Sequence, residues 1–300
     1  MEQKMEQKMI SVVIPTYNRK EKLSDCIQSV LAQSYRNIEV LVVDDASSDG
    51  TEEIFQNVSD PRLLYFRYET NRGACYARNY GAERAKGEFL AFQDSDDKWH
   101  PDKLEKQYGF LRSADADMCF CGMNRVSASG SRFYYPVHPF TPEHGVEEFL
   151  AENRASTQTM LMYKRVWEQL RFDEDIRRYQ DWDFGIRAAA RFSLCYLPEA
   201  LVESEVGEDS ISSRVNSYPH LLHLYNKHKA LYQQYPKSDA VMNRRMGRRM
   251  HAADPGLAAD HFKKSMALSH SFYDVSYWAA DRLRAALKNK GRKSERENER

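Results

Sequence analysis

The fold is decided near the N-terminus by the stretch Val12-Val13-Ile14-Pro15-Thr16-Tyr17-Asn18, an apolar run that ends in polar residues. A helical pattern follows over Lys20–Ser34, where apolar side chains recur every three or four residues. The next apolar run, Ile38–Val43, is continuous rather than alternating, as is typical of a strand that is covered on both faces. A covered strand, a helix and a second covered strand predict a parallel α/β sheet.

The same alternation of strand and helix patterns continues to residue 121. It becomes irregular between residues 122 and 179, and beyond residue 213 only helical patterns remain. The predicted strands are Met9–Pro15, Ile38–Val43, Arg62–Tyr68, Glu88–Phe92, Ala116–Cys121, Thr159–Tyr163 and Leu194–Leu197, with a hairpin near Phe133–Val137. The predicted helices are Lys20–Ser34, Asp49–Val58, Ala74–Lys86, Asp102–Arg112, Asp181–Arg191, 217–235, 238–252, 256–268 and 272–287.

These changes of pattern predict two folded parts and two loose ends. We expect a flexible leader at residues 1–9, an α/β domain at 10–212, a helical region at 213–287 and a polar, disordered tail at 288–300. The leader has no apolar core and is not expected to be a signal peptide. No run approaches the roughly 18 to 20 apolar residues of a membrane span, and five irregularly spaced cysteines predict reduced thiols. We therefore expect a cytoplasmic protein.

The charges of the chain are balanced in number but not in position. There are 44 basic and 44 acidic side chains, yet from Ser213 onward 18 Lys and Arg stand against 8 Asp and Glu. This excess predicts an interaction surface in the helical region. It includes two pairs of arginines one helical turn apart, which indicate peripheral contact with the inner face of the cell membrane, a lipid-diphosphate site, or a solvated face that pairs with the acidic front of the protein. The four arginines are Arg244, Arg245, Arg248 and Arg249.

Three predicted strands end in polar clusters, Pro15–Asn18, Asp44–Gly50 and Asp94–Asp97. Ligands of open α/β sheets bind beyond the carboxyl ends of the strands, so these clusters predict a single site. Asp94 and Asp96 are two residues apart where a strand ends, and two carboxylates on one side repel each other unless a cation lies between them. Oxygen ligands of this kind suit Mg²⁺ or Mn²⁺. The alternative is a solvated, Asp-rich turn before a helix.

The other clusters carry groups that are suited to a nucleotide. Asp44 and Asp45 are together more than helix capping requires, and a carboxylate at a strand end can accept a hydrogen bond from a nucleobase or a ribose. Tyr17 can stack on a base, and Arg78 lies one turn into a predicted helix, where the helix start and the guanidinium both favour phosphate. Each signal is weak by itself, but their order along the chain is informative.

Four ordered blocks of this sequence resemble glycosyltransferase family 2, a large family of inverting enzymes. The resemblance covers about residues 10–205, and it implies the GT-A fold, a Rossmann-like α/β domain with a mostly parallel central sheet. It divides this domain into a nucleotide-binding half at 10–121 and an acceptor half at 122–212, with an all-helical region after it. The blocks are Val12–Arg19, Val42–Thr51, Asn71–Asn79 and Gln93–Asp97.

The resemblance also implies a nucleotide-binding site. Pro15, Tyr17 and Asp45 would hold the nucleobase and ribose, with Asp45 on the base edge, and Arg78 would lie near the phosphates. The full set that the blocks imply is Pro15, Thr16, Tyr17, Asn18, Asp44, Asp45, Asn71, Arg78, Asp94 and Ser95.

The metal site and the catalytic base are implied in the same way. The block Gln93–Asp97 resembles the family's Asp-x-Asp motif, in which Asp96 would bind Mn²⁺ or Mg²⁺ directly and Asp94 would face the ribose or the metal. The family's base usually lies in a Glu-Asp pair that opens a helix. Asp181 stands at that position, with Asp183 as the fallback.

The sequence departs from the family pattern at several places. Gln180 replaces the Glu of the Glu-Asp pair, Arg171 stands where a Gly is frequent, and Glu205-Val206-Gly207 replaces a segment of the type Arg-x-His. The last change removes a possible extra ligand of the metal or phosphate. The chain also lacks the Gln-x-x-Arg-Trp pattern of processive polymerases, so we expect one sugar to be transferred per encounter.

The predicted activity is metal-dependent, inverting transfer of a hexose or N-acetylhexosamine from a nucleotide-diphosphate donor, with UDP favoured on family grounds. The expected acceptor is a saccharide or a lipid-linked saccharide of surface polysaccharide or glycoconjugate synthesis. Two alternatives are a sugar-nucleotide-binding protein without transferase activity and a sugar-phosphate nucleotidyltransferase, although the latter should carry a Gly-rich loop that Pro15–Arg19 lacks. No aromatic-basic module supports nucleic-acid binding.

Overall fold

The computed structural model describes residues 7–127, 129–136, 138–206, 217–269, 274–284 and 286. The chain divides into two compact units. One consists of Met1–Gly145 and Asn153–Ser210, and the other of Val146–Glu152 and Ile211–Arg300. The predicted boundary after residue 212 falls in the segment 207–216, outside the described residues, as do the first six leader residues and the tail at 288–300.

The first unit is built on one mixed sheet, which the described residues form in the order β3-β2-β1-β4-β8-β6-β9-β5, with β7 paired to β6. The strands β1 to β4 are mutually parallel in this order, and β6 is parallel to β9. The remaining pairs, at β8, β5 and β7, are antiparallel. The strands are β1 (Ile10–Thr16), β2 (Ile38–Asp44), β3 (Leu63–Arg67), β4 (Phe89–Phe92), β5 (Lys98–Trp99), β6 (Met118–Ser127), β7 (Arg132–Tyr135), β8 (Met160–Tyr163) and β9 (Leu194–Val206).

Helices connect the strands of this unit. The parallel half is linked by α1, a 3₁₀ helix at Thr51–Asn57 and α2, so the α/β class and the parallel arrangement of the first strands are confirmed. Two further helices, α5 and α6, separate β8 from β9. The helices of the unit are α1 (Lys20–Leu31), α2 (Ala74–Arg84), α3 (Lys103–Ser113), α5 (Lys164–Leu170) and α6 (Gln180–Ala189), and α4 (Gly145–Ala151) lies almost wholly in the second unit.

The central strands are mostly apolar because they are buried on both faces of the sheet. Every residue of β1 and β2 is buried, as their continuous apolar runs predict for strands that are covered on both faces. On one face α2 approaches β1 closely at Gly81, where an added Cβ would lie 2.5 Å from a methyl carbon of Val13. The close approach leaves no space for a side chain at this position, and it fixes α2 against the strands whose ends carry the polar clusters.

Several element predictions are wrong in detail. The strand predicted at Leu194–Leu197 is the start of β9, which is 13 residues long because it continues along β6 past a register shift near Gly122. The short helix predicted at Asp49–Val58 is a 3₁₀ helix, and the helix predicted at 217–235 is broken at His228. Within the predicted leader, the carbonyl of Gln7 accepts from the side chain of Asn37 at 2.7 Å, and the flexibility of residues 1–9 stays a prediction.

The second unit is helical, as predicted. It contains α7 (Tyr218–Lys227), α8 (Lys229–Gln234), α9 (Pro236–Met250), α10 (Pro255–Ser269) and a helix at residues 274–284. The two long helices pack closely at Gly247, where an added Cβ would lie 3.0 Å from the ring of Phe262. The α4 segment joins this unit through hydrogen bonds to its carbonyls from Tyr232, Ser238 and Arg245.

The four arginines of α9 are spaced as if they lay on one solvated face of the helix. The structure does not place all four of them in solvent. Arg244 makes a two-pronged ion pair with the buried Asp274, at 2.6 and 2.9 Å, and Arg245 donates to the carbonyl of Ala151 at 3.2 Å. Arg248 and Arg249 are exposed. Among the described residues, no helix is both long enough and apolar enough to cross a bilayer.

Candidate active site

The loops after β1 and β2 are locked together at the carboxyl edge of the sheet. The N–H of Asn18 donates to the Ser47 hydroxyl at 2.9 Å, and the side-chain oxygen of Asn18 accepts from the N–H of Ser48 at 2.8 Å. Asn18 and Ala46 both have positive φ angles, of 50° and 63°, which non-glycine residues rarely adopt. Paired strain of this kind is typical of ligand-binding loops. Tyr17, the residue after β1, is 48% exposed.

The consecutive acids Asp44 and Asp45 both accept hydrogen bonds from the protein itself, while Asp49 accepts from the N–H of Thr51 at the start of the 3₁₀ helix. Asp44 is fully buried and accepts from the Ser47 N–H at 2.8 Å and the Tyr65 hydroxyl at 2.6 Å. The carboxylate of Asp45 accepts from the N–H groups of Arg72 and Gly73 at 2.6 and 2.8 Å, immediately before α2. These bonds fix the start of α2 against β2, and the contact of Asp45 with a nucleobase stays a prediction.

Two more of the predicted nucleotide-site residues lie beside this junction. The side chain of Asn71 donates to the carbonyl of Asp45 at 3.2 Å. Thr16, at the end of β1, is buried, and its hydroxyl has no hydrogen-bond partner among the described residues. A buried hydroxyl without a partner carries a desolvation cost that a bound ligand can relieve.

The acids after β4 divide into two environments. Asp97 is buried and accepts from the side-chain amide of Gln158 at 2.7 Å, whereas the side chains of Asp94 and Asp96 are 29% and 38% exposed. Burial, and then the negative charges of Asp94 and Asp96, raise the pKa of Asp97 well above its ordinary value. The three carboxylates therefore lie close enough to interact, and the two that reach solvent are those of the Asp-x-Asp motif.

Arg78 connects the β4 acids to the start of α6. Its guanidinium is buried and donates to Asp94 at 2.7 Å and to the side-chain oxygen of Gln180 at 3.0 Å. The Thr157 hydroxyl donates to the same Asp94 carboxylate at 3.2 Å. The Nε–H of Arg78 is buried and, among the described residues, has no acceptor. The predicted base helix and the predicted metal motif thus meet at one guanidinium.

Asp181 is the second residue of α6, and its surroundings suit a general base. Its carboxylate accepts from the Asn153 side-chain amide and from the N–H of Trp182, both at 2.8 Å. Burial raises the pKa of Asp181, and Asp94 adds to the rise, while the two hydrogen bonds and the charge of Arg78 act against it. Tyr179, the residue immediately before α6, has a φ angle of 66° and holds the turn into the helix in a rarely populated conformation.

The fallback base, Asp183, is in a different position. Its side chain is 1% exposed, and it forms an ion pair with Arg187 one turn later at 2.6 Å. A carboxylate that is buried and paired with a cation on its own helix cannot readily reach a substrate hydroxyl. The geometry therefore favours Asp181 over Asp183.

The Asp-x-Asp carboxylates suit a divalent cation. Asp96 forms an ion pair with Arg19 at 3.6 Å, and both side chains are more than one third exposed, so the Asp96 carboxylate is accessible. Among the described residues, no group of three or more His, Cys, Asp or Glu side chains is arranged to hold a metal by itself. A hard cation bound by one or two carboxylates completes its shell with water and substrate phosphates, as is usual for Mg²⁺.

Four residues contribute to this site although the sequence alone assigns them no role in it. Asn153 and Thr157 come from the irregular segment before β8, and Gln180 was treated only as a departure from a family pattern. Arg19 was included in a block without a role. The dense polar run that ends at Gln158 was the one available signal, since an unpatterned polar segment directly before a strand often lines a site.

Comparison with solved structures shows the fold. The chain superposes on mannosyltransferase PcManGT from Pyrobaculum calidifontis, in complex with GDP-Man and Mn²⁺, with a TM-score of 0.62 and 19% identity, over 95% of this chain and 88% of that one. It also superposes on S. aureus TarS 1-349 in complex with UDP-GlcNAc, with a TM-score of 0.60 and 18% identity, over 91% and 79% of the two chains. The fold is that of GT-A glycosyltransferases.

Sequence comparison then gives the family. The model for glycosyl transferase family 2 matches residues 11–185. TuaG of Bacillus subtilis, provisionally named a teichuronic acid biosynthesis glycosyltransferase, is 34% identical over 209 residues, which are 68% of this chain and 82% of that protein. The protein belongs to glycosyltransferase family 2.

Proposed function

We propose that the protein transfers a single sugar, with inversion, from a nucleotide-diphosphate donor to an acceptor hydroxyl, and that Asp181 is the base. The observation that carries this proposal is the bridge made by Arg78, which bonds to both Asp94 of the metal motif and Gln180 beside the base. A donor site and a proton acceptor that meet at one buried residue are what a sugar transfer requires. The family match favours this activity over the sugar-phosphate nucleotidyltransferase alternative.

The proposed proton transfer uses Asp181 of α6. The acceptor oxygen attacks the anomeric carbon while its proton passes to the carboxylate of Asp181, and the bond between that carbon and the diphosphate oxygen breaks. One displacement from the side opposite the leaving group inverts the anomeric centre. A retaining mechanism of the glycosidase type would need a second carboxylate as nucleophile. The bonds from Asn153 and the Trp182 N–H orient the Asp181 oxygens for this step.

The donor side is assigned to the loops after β1, β2 and β4. Tyr17 would stack on the base, and Pro15, Asn18, Asp45 and the neighbouring polar residues would surround the nucleoside. A divalent cation held by Asp96, with Asp94 nearby, would neutralise charge on the diphosphate leaving group. UDP is favoured as the nucleotide, since TarS structures contain UDP-GlcNAc, although the GDP-Man complex of PcManGT keeps GDP as the second candidate. The naming of TuaG supports an acceptor in surface polysaccharide synthesis.

A donor panel tests the nucleotide part of this proposal. We expect one of UDP-GlcNAc, UDP-glucose, UDP-galactose or GDP-mannose to raise the melting temperature by several degrees in the presence of Mn²⁺, because a ligand that binds only the folded state stabilises it. The same ligand should have a smaller effect in EDTA. ATP with Mn²⁺ serves as the control for a nucleotide without a sugar. A panel in which no sugar nucleotide exceeds ATP would contradict the proposal.

We also propose peripheral contact of the helical unit with an anionic membrane. Arg248 and Arg249 are exposed at the end of α9, and the helix at 274–284 exposes Val275 and Leu283 by 41% and 65%. Exposed cationic and apolar side chains on one helical unit are the features of an interfacial surface.

Liposome flotation tests this contact. The protein should float with vesicles that contain phosphatidylglycerol and not with phosphatidylcholine alone, and flotation should fall several-fold in the double variant Arg248→Gln/Arg249→Gln. Arg36→Gln, at an exposed arginine of the first unit, is the matched control. Equal flotation of the double variant and the wild type would contradict the assignment of the surface.

A further inference from the structure

Gln180 and Arg78 form a contact that the family resemblance did not anticipate. Arg78 lies in the middle of α2 and Gln180 is the first residue of α6, and they are 102 residues apart in sequence. The bond runs from a guanidinium Nη1–H to the Gln180 side-chain oxygen at 3.0 Å, while Nη2 donates to Asp94. A planar guanidinium can hold two partners in fixed directions, which a lysine ammonium cannot.

The charges around this guanidinium are few. Asp94 is its anionic hydrogen-bond partner, and Thr157 and Gln180 are neutral. The charge of Arg78 also acts on Asp181, the residue after Gln180, without a direct bond to it. A glutamate at position 180 would place a second carboxylate against Arg78 and next to Asp181. A neighbouring negative charge makes the carboxyl group of Asp181 harder to ionise.

We propose that Arg78 and Gln180 are a positioning pair: the buried guanidinium holds the metal-motif carboxylate of Asp94 and the first residue of the base helix at once, and the neutral amide at 180 leaves the positive charge of Arg78 available to the ionised base. In this scheme neither residue contacts the acceptor oxygen or the anomeric carbon. The pair sets where Asp181 stands relative to the donor and how easily it ionises. This inference rests on the proposed function, because it takes Asp181 to be the base.

Two substitutions at Gln180 distinguish the effect of its hydrogen bond with Arg78 from the effect of charge at position 180. Gln180→Met keeps the length of the side chain and removes the acceptor for Arg78. It should lower kcat about 10-fold or more while the KM for the donor changes less than about 3-fold, since misplacement of a catalytic group affects turnover and not donor binding. Gln180→Glu keeps an acceptor for Arg78. This variant should retain most of the wild-type kcat at alkaline pH. The acid limb of its pH profile should lie about 0.5 pH unit or more above that of the wild type.

The measurement is nucleotide release from the sugar nucleotide that the donor panel selects, followed from pH 5 to pH 9. Gln28→Met, at an exposed glutamine of α1, is the matched control and should behave as wild type. Melting temperatures of all variants identify any loss of the fold. Should Gln180→Met prove unstable, the pH profile of Gln180→Glu decides, because that variant preserves the bond.

Two results would overturn the inference. One is wild-type kcat in a folded Gln180→Met variant, and the other is an unshifted acid limb in Gln180→Glu. Failure of the proposed function itself would look different, because Asp181→Asn would then retain turnover. Loss of activity in Asp181→Asn together with a fully active Gln180→Met would reject the positioning pair alone.

Discussion

Replacement of Asp181 by Asn is expected to lower the transfer rate by about 10²- to 10⁴-fold, the usual contribution of a general base. The amide cannot accept the proton of the acceptor hydroxyl, but it has nearly the same shape and can still accept the N–H bond of Trp182. The affinity for UDP in the presence of Mn²⁺, measured by calorimetry, should change less than about 3-fold, because in our scheme Asp181 belongs to the acceptor side. Near-normal turnover in this variant would refute the assignment of the base.

The pH dependence of the wild type gives an independent check on the same residue. Burial raises the pKa of Asp181, and the base is active only when ionised, so turnover should fall on the acid side at a pH above that of an ordinary aspartate. The matched control is Asp175→Asn, which removes an exposed carboxylate shortly before α6. It should leave both the rate and the acid limb as in the wild type. An acid limb at the pH of a solvent-exposed carboxylate would contradict the buried environment of the base.

Replacement of Asp96 by Asn is expected to weaken Mn²⁺-dependent binding of UDP by about 10- to 100-fold. Changes in the outer shell of a metal site alone have effects of this size, and a direct ligand should cost at least as much. Calorimetric titration of UDP with Mn²⁺, and again in EDTA, measures the effect. The wild type in EDTA should resemble Asp96→Asn with metal. UDP binding that is insensitive to both changes would remove Asp96 from the metal site.

The control for this experiment is a carboxylate in the same surroundings. Asp25 and Asp96 line one cleft of about 320 Å³, and Asp25 forms an exposed ion pair with Lys98 at 2.7 Å. Asp25→Asn removes the same charge from the same cleft, and it should alter UDP affinity by less than about 3-fold. A loss equal to that of Asp96→Asn would show that the effect is general electrostatics and not metal ligation.

The parallel half of the sheet, β1 to β4, could largely be predicted from the sequence. Buried strands in a parallel sheet are apolar throughout, and the chain carries this pattern at β1 and β2 together with the helical period between them. Since parallel strands end at a common edge, polar residues at separate strand ends must come together. The convergence of the loops after β1, β2 and β4 follows from these two facts.

The second half of the domain was harder to predict from the sequence, because its structure depends on pairing between distant segments. The strand β9 is long because it follows β6, and nothing in the local sequence after Leu197 marks this continuation. The α4 segment lies between strands of one unit but bonds to residues of the helical unit, so its membership is a property of contacts and not of its own pattern.

The sequence alone determined the α/β class, the helical end and the family. It also determined the edge of the sheet where polar residues gather. All of these depend on local periodicity and on the order of short motifs. Only the tertiary structure decided the surroundings of each acid. It buried Asp44 and Asp97 among internal donors and left Asp94 and Asp96 partly exposed. It also joined Arg78 to Gln180 across 102 residues, because burial and hydrogen bonding depend on three-dimensional neighbours that spacing along the chain does not specify.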